Sequence, residues 1–282
     1  MSLLSCENLG VRIAGIEVVN ELGLNIQRGE FWGLLGPNGI GKTTLLKCLA
    51  GLDEPAAGRV LLESKNIDAL PRKLLARHIG MLQQHTVYVF DSSVMQTVLT
   101  GRHPHLGYWE REGSADHERA LEALRAVDLD GFANRSVTGL SGGEARRLAF
   151  ATLMVQEPDI MLLDEPTNHL DLRHQLRIMR MVRQQTREHG NSAFCALHDI
   201  NLAARYCTHL LMLFGDGEWC AGSANDMLSE TSLERLYGCP VERFDSATGP
   251  RFHPCLLYTS PSPRDNDWYL VCRLLLEQGG GG

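Results

Sequence analysis

The chain has 282 residues, 44% hydrophobic and 22% charged, with a formal net charge of -7 at neutral pH. These totals allow one large or two modest domains around a sizeable core, and the acidic balance argues against a broad nucleic-acid surface. No apolar run approaches the length of a membrane span, and the start of the chain lacks the basic and apolar regions of a secretory leader, so a soluble, cytoplasmic protein is expected.

In chain order, Leu3 to Ile26 alternate as antiparallel strands, with Leu22, Leu24 and Ile26 on one face and Gly15 and Gly29 at turns. The run Phe31-Trp32-Gly33-Leu34-Leu35 reads as a buried strand, and Thr43 to Ala50 as a helix with Leu45, Leu46 and Leu49 inward. Between them Gly36-Pro37-Asn38-Gly39-Ile40-Gly41-Lys42-Thr43-Thr44 fits G-x-x-x-x-G-K-[ST], the phosphate-binding loop. Its glycines let successive N–H groups point into one concavity, and the helix behind adds its positive end. Lys42 supplies a full charge against the β- and γ-phosphates, and the Thr43 hydroxyl is suited to ligate Mg²⁺. A nucleoside triphosphate site is expected here.

Further strands are expected at Gly58 to Leu62 and Ile79 to Leu82, with a short helical piece near Leu70 to Arg77 between them. From Val94 to Leu129 the pattern turns helical, with Ala120, Leu121, Leu124 and Val127 at helix spacing. Strands stop there and resume only at Ile160, so residues about 86–145 read as a helical insert. A helix spans Gly142 to Gln156, and the strand Ile160 to Leu163 then ends in Asp164-Glu165-Pro166. Leu172 to Glu188 is amphipathic, with Leu172, Leu176, Met179 and Val182 expected inward. The strand Ser192 to Leu197 ends at His198. Strands at His209 to Phe214 and Glu218 to Gly222 flank a Gly215-Asp216-Gly217 hairpin, and two short helices and a strand near Val241 to Phe244 follow. This alternation implies a mainly parallel, doubly wound sheet with its site at the carboxyl ends of the strands. Eight cysteines are scattered without metal-type or C-x-x-C spacing and read as reduced, mostly core residues.

The stretch from Cys255 onward does not continue the pattern. Cys255 to Asp265 resembles an in-frame translation of a transposon-type sequencing-library adapter, Tyr269 to Glu277 its far end, and Gly279 to Gly282 a homopolymer read past it. Residues 255–282 are therefore set apart as a non-native tail, with the gene expected to continue differently after about Pro254 and an environmental DNA assembly as its source.

Two further motifs carry chemistry. Asp164 and Glu165 sit at the tip of an apolar strand, where one carboxylate can hold a metal's hydration shell and the other can position and deprotonate a water. Leu140-Ser141-Gly142-Gly143-Glu144 starts a helix. Ser141 and Glu144 can form a capping box, yet two glycines there also make a second anion-binding helix N-terminus, one more than a single phosphate chain needs.

In this order the phosphate loop, Gln84, Leu140 to Glu144, Ile160 to Glu165, Asn168-His169-Leu170-Asp171 and His198 resemble the nucleotide-binding subunit of an ABC transporter, over about residues 3 to 254. The resemblance implies a P-loop NTPase cassette at residues 1–254, with a RecA-like core, an antiparallel β subdomain and a helical signature subdomain. It implies a head-to-tail homodimer with two ATPs sandwiched between the phosphate loop of one copy and the signature of the other. Carried over by position, Gly36, Pro37, Asn38, Gly39, Gly41, Lys42, Thr43 and Thr44 bind ATP, and Thr43, Gln84 and Asp164 serve Mg²⁺. Glu165 is the general base, and His198 contacts the γ-phosphate as a switch. Ser141, Gly142, Gly143 and Glu144 grip the phosphate held by the opposite protomer, and Asp171 sits at the dimer seam.

Three departures stand out. Ile40 replaces a small residue and is expected to crowd the loop slightly. Ile13 stands where such proteins stack an aromatic on adenine. Gln83 replaces a proline before Gln84, so Gln84 is preferred over Gln83 by register alone. The stretches Gln84 to Asp91 and Val98 to Leu106 are most similar to importers of iron-siderophores, haem and cobalamin, which implies transmembrane permease subunits, a substrate-binding protein and a peripheral place on the cytoplasmic face of the inner membrane. The alternatives are a soluble ABC ATPase acting on ribosomes or DNA, suggested by Asp164 to Asp171, and a manganese- or zinc-type importer subunit. No nucleic-acid partner is expected.

Overall fold

The computed structural model describes residues 2–246 and 249–255. The chain opens with strands β1 (Ser2–Ile13), β2 (Ile16–Gln27) and β3 (Phe31–Leu35), then helix α1 (Lys42–Leu49). Strands β4 (Ala57–Leu62) and β5 (Lys65–Asn66), helix α2 (Arg72–His78) and strand β6 (Ile79–Leu82) follow. Helices α3 (Val94–Leu99), α4 (Ser114–Ala126) and α5 (Gly142–Gln156) lead to strand β7 (Ile160–Asp164). The second half runs α6 (Leu172–Glu188), β8 (Ser192–Ala196), α7 (Ile200–Tyr206), β9 (His209–Gly215) and β10 (Glu218–Ser223). It closes with α8 (Ala224–Met227), α9 (Glu230–Tyr237), β11 (Val241–Ser246) and β12 (Gly249–Pro254).

Two sheets form the body. One is antiparallel with order β2-β1-β4-β5, and the other has order β10-β9-β3-β8-β7-β6 and is parallel except for β10. The central strands have no solvent face, so their side chains divide between two apolar layers by simple alternation. Trp32, Leu34, Ile160, Leu162, Phe194 and Ala196 pack with β1, β2 and α1. Phe31, Leu35, Met161, Leu163, Ala193 and Cys195 pack with the helices on the other side. Since β3, β8, β7 and β6 are neighbours and parallel, the loops after all four emerge along one edge.

Helices α5 and α6 run over the expected residues, but the expected inward stripe of α6 is wrong at its first residue. Leu172 is 69% exposed, because the first turn runs past the packed surface, and Ile178 takes the buried place beside Met179 and Val182. In α4 the buried residues are Ala120, Ala123 and Leu124, while Leu121 is only half-buried. The hairpin is tighter than expected: Gly215 pairs with Glu218, leaving Asp216 and Gly217, both at positive φ, as a two-residue turn. Helix α7 and strand β12 were not anticipated. Cys255 donates its N–H to the Pro240 carbonyl at 2.8 Å, and the rest of the stretch read as a foreign tail lies outside the described residues.

Candidate active site

The phosphate loop bends between β3 and α1 on left-handed glycines. Gly41, at φ 105°, caps α1, and a Cβ there would stand 2.4 Å from Val18 Cγ2. No other residue type fits that position without moving β2. No side chain caps α1, and no acidic residue lies in its first turn, so its N-terminal N–H groups and dipole face a cleft. Lys42 is buried and donates from Nζ to the Gly36 carbonyl at 2.8 Å and the Pro37 carbonyl at 3.0 Å. An ammonium has three N–H groups, so one remains for a phosphate oxygen. Burial pushes the Lys42 ammonium below the usual lysine range, with Glu165 and then Asp164 opposing the shift. Ile40 is half-buried against the β1–β2 side of the core.

The floor of the cleft is the end of β7. Thr43 donates its hydroxyl to Asp164 Oδ2 at 2.7 Å, and Asp164 Oδ1, fully buried, has no hydrogen-bond partner. Burial raises the Asp164 carboxyl above the usual carboxylate range; the Thr43 bond opposes that and nearby Glu165 adds to it. A buried carboxylate oxygen without a donor, beside a hydroxyl, is a donor set that fits a divalent cation and its water shell.

Glu165 follows in the left-handed region at φ 49°, an uncommon conformation for a residue with a side chain. It is pinned by its N–H donating to the Ala196 carbonyl at 3.2 Å, which ties the exit of β7 to the exit of β8. Three side chains converge on its carboxylate. Gln84 donates from Nε2 to Oε2 at 2.8 Å, Asn168 donates to the same oxygen, and His198 Nε2 meets Oε1. A cleft of about 550 Å³ is lined by Ile13, Asn38, Gly39, Gly41, Lys42, Thr43, Thr44, Gln84, Glu165, Asn168 and His198. Of the adjacent glutamines, Gln84 therefore faces the cleft, whereas Gln83 lines a separate groove.

The signature residues lie elsewhere: none of Ser141 to Glu144 lines that cleft. Ser141 caps α5, its Oγ accepting from the Glu144 N–H at 3.3 Å, while Ser141 N–H donates to Glu144 Oε2 at 2.7 Å. A Cβ on Gly143 would approach the His169 carbonyl to 3.3 Å, so the helix start fits closely against the Asn168–Leu170 turn. Asp171 caps α6, accepting from the His174 N–H at 2.9 Å, and is exposed.

Sequence reasoning missed Arg146. It is buried on the second turn of α5 and donates to four backbone carbonyls: Gln83, Gln84 at 3.1 Å, Asp164, and Glu165 at 2.7 Å. Burial lowers its pKa while the nearby Asp164 carboxylate pulls the other way. One guanidinium thus sets the distance between the exits of β6 and β7, which carry Gln84 and Glu165. The available signal was an arginine on the inner side of the signature helix, where a charge needs a reason to be buried.

Residues 19–168 match the protein family described as ABC transporter. The chain belongs to that family. It is an ATP-binding, ATP-hydrolysing cassette, and the match to two curated relatives covers most of both chains. Ferric enterobactin transport ATP-binding protein FepC of Escherichia coli (strain K12) is 36% identical over 232 residues, covering 82% of this chain and 86% of FepC. Hemin import ATP-binding protein HmuV of Rhizobium meliloti (strain 1021) is 36% identical over 245 residues, covering 84% of this chain and 92% of HmuV. Among solved structures, a metal-chelate type ABC transporter in an inward-facing conformation superposes with a TM-score of 0.78 at 26% identity, covering 92% of this chain and 99% of that one. Among the described residues of the cassette, no helix is long and apolar enough to cross a membrane.

Proposed function

We propose that this cassette powers an importer of a metal-chelate type nutrient, an iron-siderophore, haem or cobalamin, from the cytoplasmic face of the membrane. It works as a homodimer on permease subunits supplied by a substrate-binding protein. The observation that carries the catalytic part is the Glu165 carboxylate, set one residue beyond the Thr43–Asp164 pair and gripped by Gln84, Asn168 and His198. Loop amides from Gly36 to Thr44 and the spare N–H of Lys42 hold the β- and γ-phosphates. Thr43 and Gln84, backed by Asp164, would hold Mg²⁺, which would supply positive charge against the phosphate oxygens. Glu165 orients the attacking water and takes its proton, and His198, bonded to Glu165, senses the γ-phosphate. Ser141 and Gly143 complete the site of the opposite copy, and Asp171 lies at the seam.

Permease docking is assigned to the surface just beyond Gln84. Val87, Val89 and Phe90 are largely exposed there, beside a groove of about 330 Å³ that Met81, Tyr88, Thr97 and Ala149 help to line. Apolar side chains so exposed on a single stretch suit burial by a partner. The Glu165→Gln cassette is expected to bind ATP and dimerise while turning over about a hundredfold or more slower than the parent. A Glu165→Gln variant with parental turnover contradicts the base assignment. The Phe90→Asp cassette is expected to lose the copurifying membrane protein and keep its own ATPase activity.

A further inference from the structure

The geometry points to His174 as a positioning residue that ties the Asp171 carboxylate to the signature arm of the same protomer. The inference rests on the composite-site reading above and adds to it a specific link. His174 sits in the first turn of α6 with its ring largely enclosed and flanked by two carboxylates. Nδ1 meets Asp171 Oδ1 at 2.8 Å, and Nε2 faces Asp128 Oδ2 at 3.6 Å. Asp171 belongs to the loop after β7. Asp128 belongs to the turn after α4, at φ 56°, in the helical layer.

The Asp128 turn is in turn held by the signature helix. Arg147, three residues past Glu144 on α5, donates from Nη1 to the Val127 carbonyl at 2.6 Å and the Asp128 carbonyl at 3.0 Å. Arg177 on α6 pairs with Asp128 Oδ2 at 2.5 Å, and Arg173 approaches it at 3.5 Å. The result is a continuous path from Asp171 through His174, Asp128 and Arg147 to the helix capped by Ser141.

Both carboxylates are kept ionised. Burial pulls Asp128 upward, but Arg177, Arg173 and His174 outweigh it and leave its carboxyl below the usual range. The His174 N–H and ring hold the Asp171 carboxyl down. The two arginines already fasten Asp128 to α6 without the histidine. Arg147 acts on the Asp171 carboxylate through charge alone, whereas the His174 ring stands within ion-pair distance of both Asp171 and Asp128, so its distinctive effect falls on the seam rather than on the stability of the helical layer. Among the described residues the hydrogen bond and ion pairs of its ring go to Asp171 and Asp128, neither of which lines the ATP cleft, and the binding of nucleotide by a single copy should not depend on it.

The test uses ATP-driven dimerisation of the full chain carrying Glu165→Gln, read by sedimentation velocity at saturating ATP. Adding His174→Ala is expected to raise the protomer concentration for half-dimerisation about threefold or more, with nucleotide affinity measured on dilute protomer unchanged. With His174 present, the effects of Asp171→Asn and Asp128→Asn on that concentration should be non-additive by about threefold, and in the His174→Ala background the non-additivity should fall below about 1.5-fold, the remainder carried by the Arg147 charge. Asn retains helix capping at position 171, so loss of the cap does not mimic the result. Additive effects with His174 present overturn the inference, as does an unchanged half-dimerisation concentration in His174→Ala. If the Glu165→Gln parent stays monomeric in ATP, the composite-site reading itself falls and takes this link with it.

Discussion

The N-termini of α1 and α5 both carry glycines, and they are finished differently. At α1 the cap is Gly41, no side chain closes the turn, and the N-terminal N–H groups sit over a cleft that Lys42 and Glu165 also line. At α5, Ser141 and Glu144 close the turn on themselves, and that turn stands outside the cleft. The first is an open anion cradle. The second spends the Glu144 N–H on its own cap, and the Ser141 N–H and hydroxyl turn toward the Glu144 carboxylate and hold it below its usual range. The difference suits the proposed reading, in which one protomer holds its own nucleotide cradle and lends its α5 end to the site of the opposite copy.

The strongest way to break the comparison is to sever the link between the two regions. Arg146 reaches from α5 to four carbonyls at the strand exits, so Arg146→Ala leaves buried acceptors unpaired. It should cost about 3 kcal/mol, seen as a loss of roughly 6–12 °C in Tm by calorimetry. Next comes the open cradle. Gly41→Ala forces a Cβ into Val18 at a left-handed backbone position, and nucleotide affinity of dilute protomer, measured by fluorescence titration, should fall about tenfold to a hundredfold.

The self-capped end should respond in the opposite way. Ser141→Ala removes the cap at a cost of about 1 kcal/mol. Dilute-protomer affinity should be unchanged, while steady-state turnover falls about tenfold or more. A matching loss of affinity would mean that Ser141 serves its own protomer's nucleotide. The smallest effect sharpens the account of the cradle's floor. Because burial raises the Asp164 carboxyl in the folded state, its proton favours folding at acid pH, and that contribution is lost as pH rises through the raised value. Asp164→Asn should therefore be more stable than the parent by about 1 kcal/mol near neutral pH, a gap that closes toward acid pH in melts without nucleotide. It should nonetheless hydrolyse ATP far more slowly.

Much of this was legible in the residues, for reasons that differ along the chain. The phosphate loop was readable because its constraints are local: a buried strand, glycines that must be left-handed, and a lysine at fixed spacing. Helices α5 and α6 each start at a side chain suited to capping, Ser141 and Asp171. Leu172 misled because periodicity gives the apolar stripe of a helix but not where the surface beneath it stops. Arg146 was illegible because its meaning comes from carbonyls 63 and 18 residues away in sequence, brought together only when β6 and β7 pair. The grip of Asn168 on Glu165 leaves no mark of its own in the sequence, because asparagine between a strand and a helix is common for its backbone bonding alone. Short α7, capped by Asp199, lies where a polar dipeptide and a brief apolar run gave no periodic signal.

The most direct test of the shared site is the specific ATPase activity of the purified cassette across a range of protein concentration, with oligomeric state followed in the same samples. Activity per molecule should be near zero at high dilution and rise with concentration as dimers appear in ATP. Full activity that is independent of concentration, in a sample that remains monomeric throughout, would contradict it.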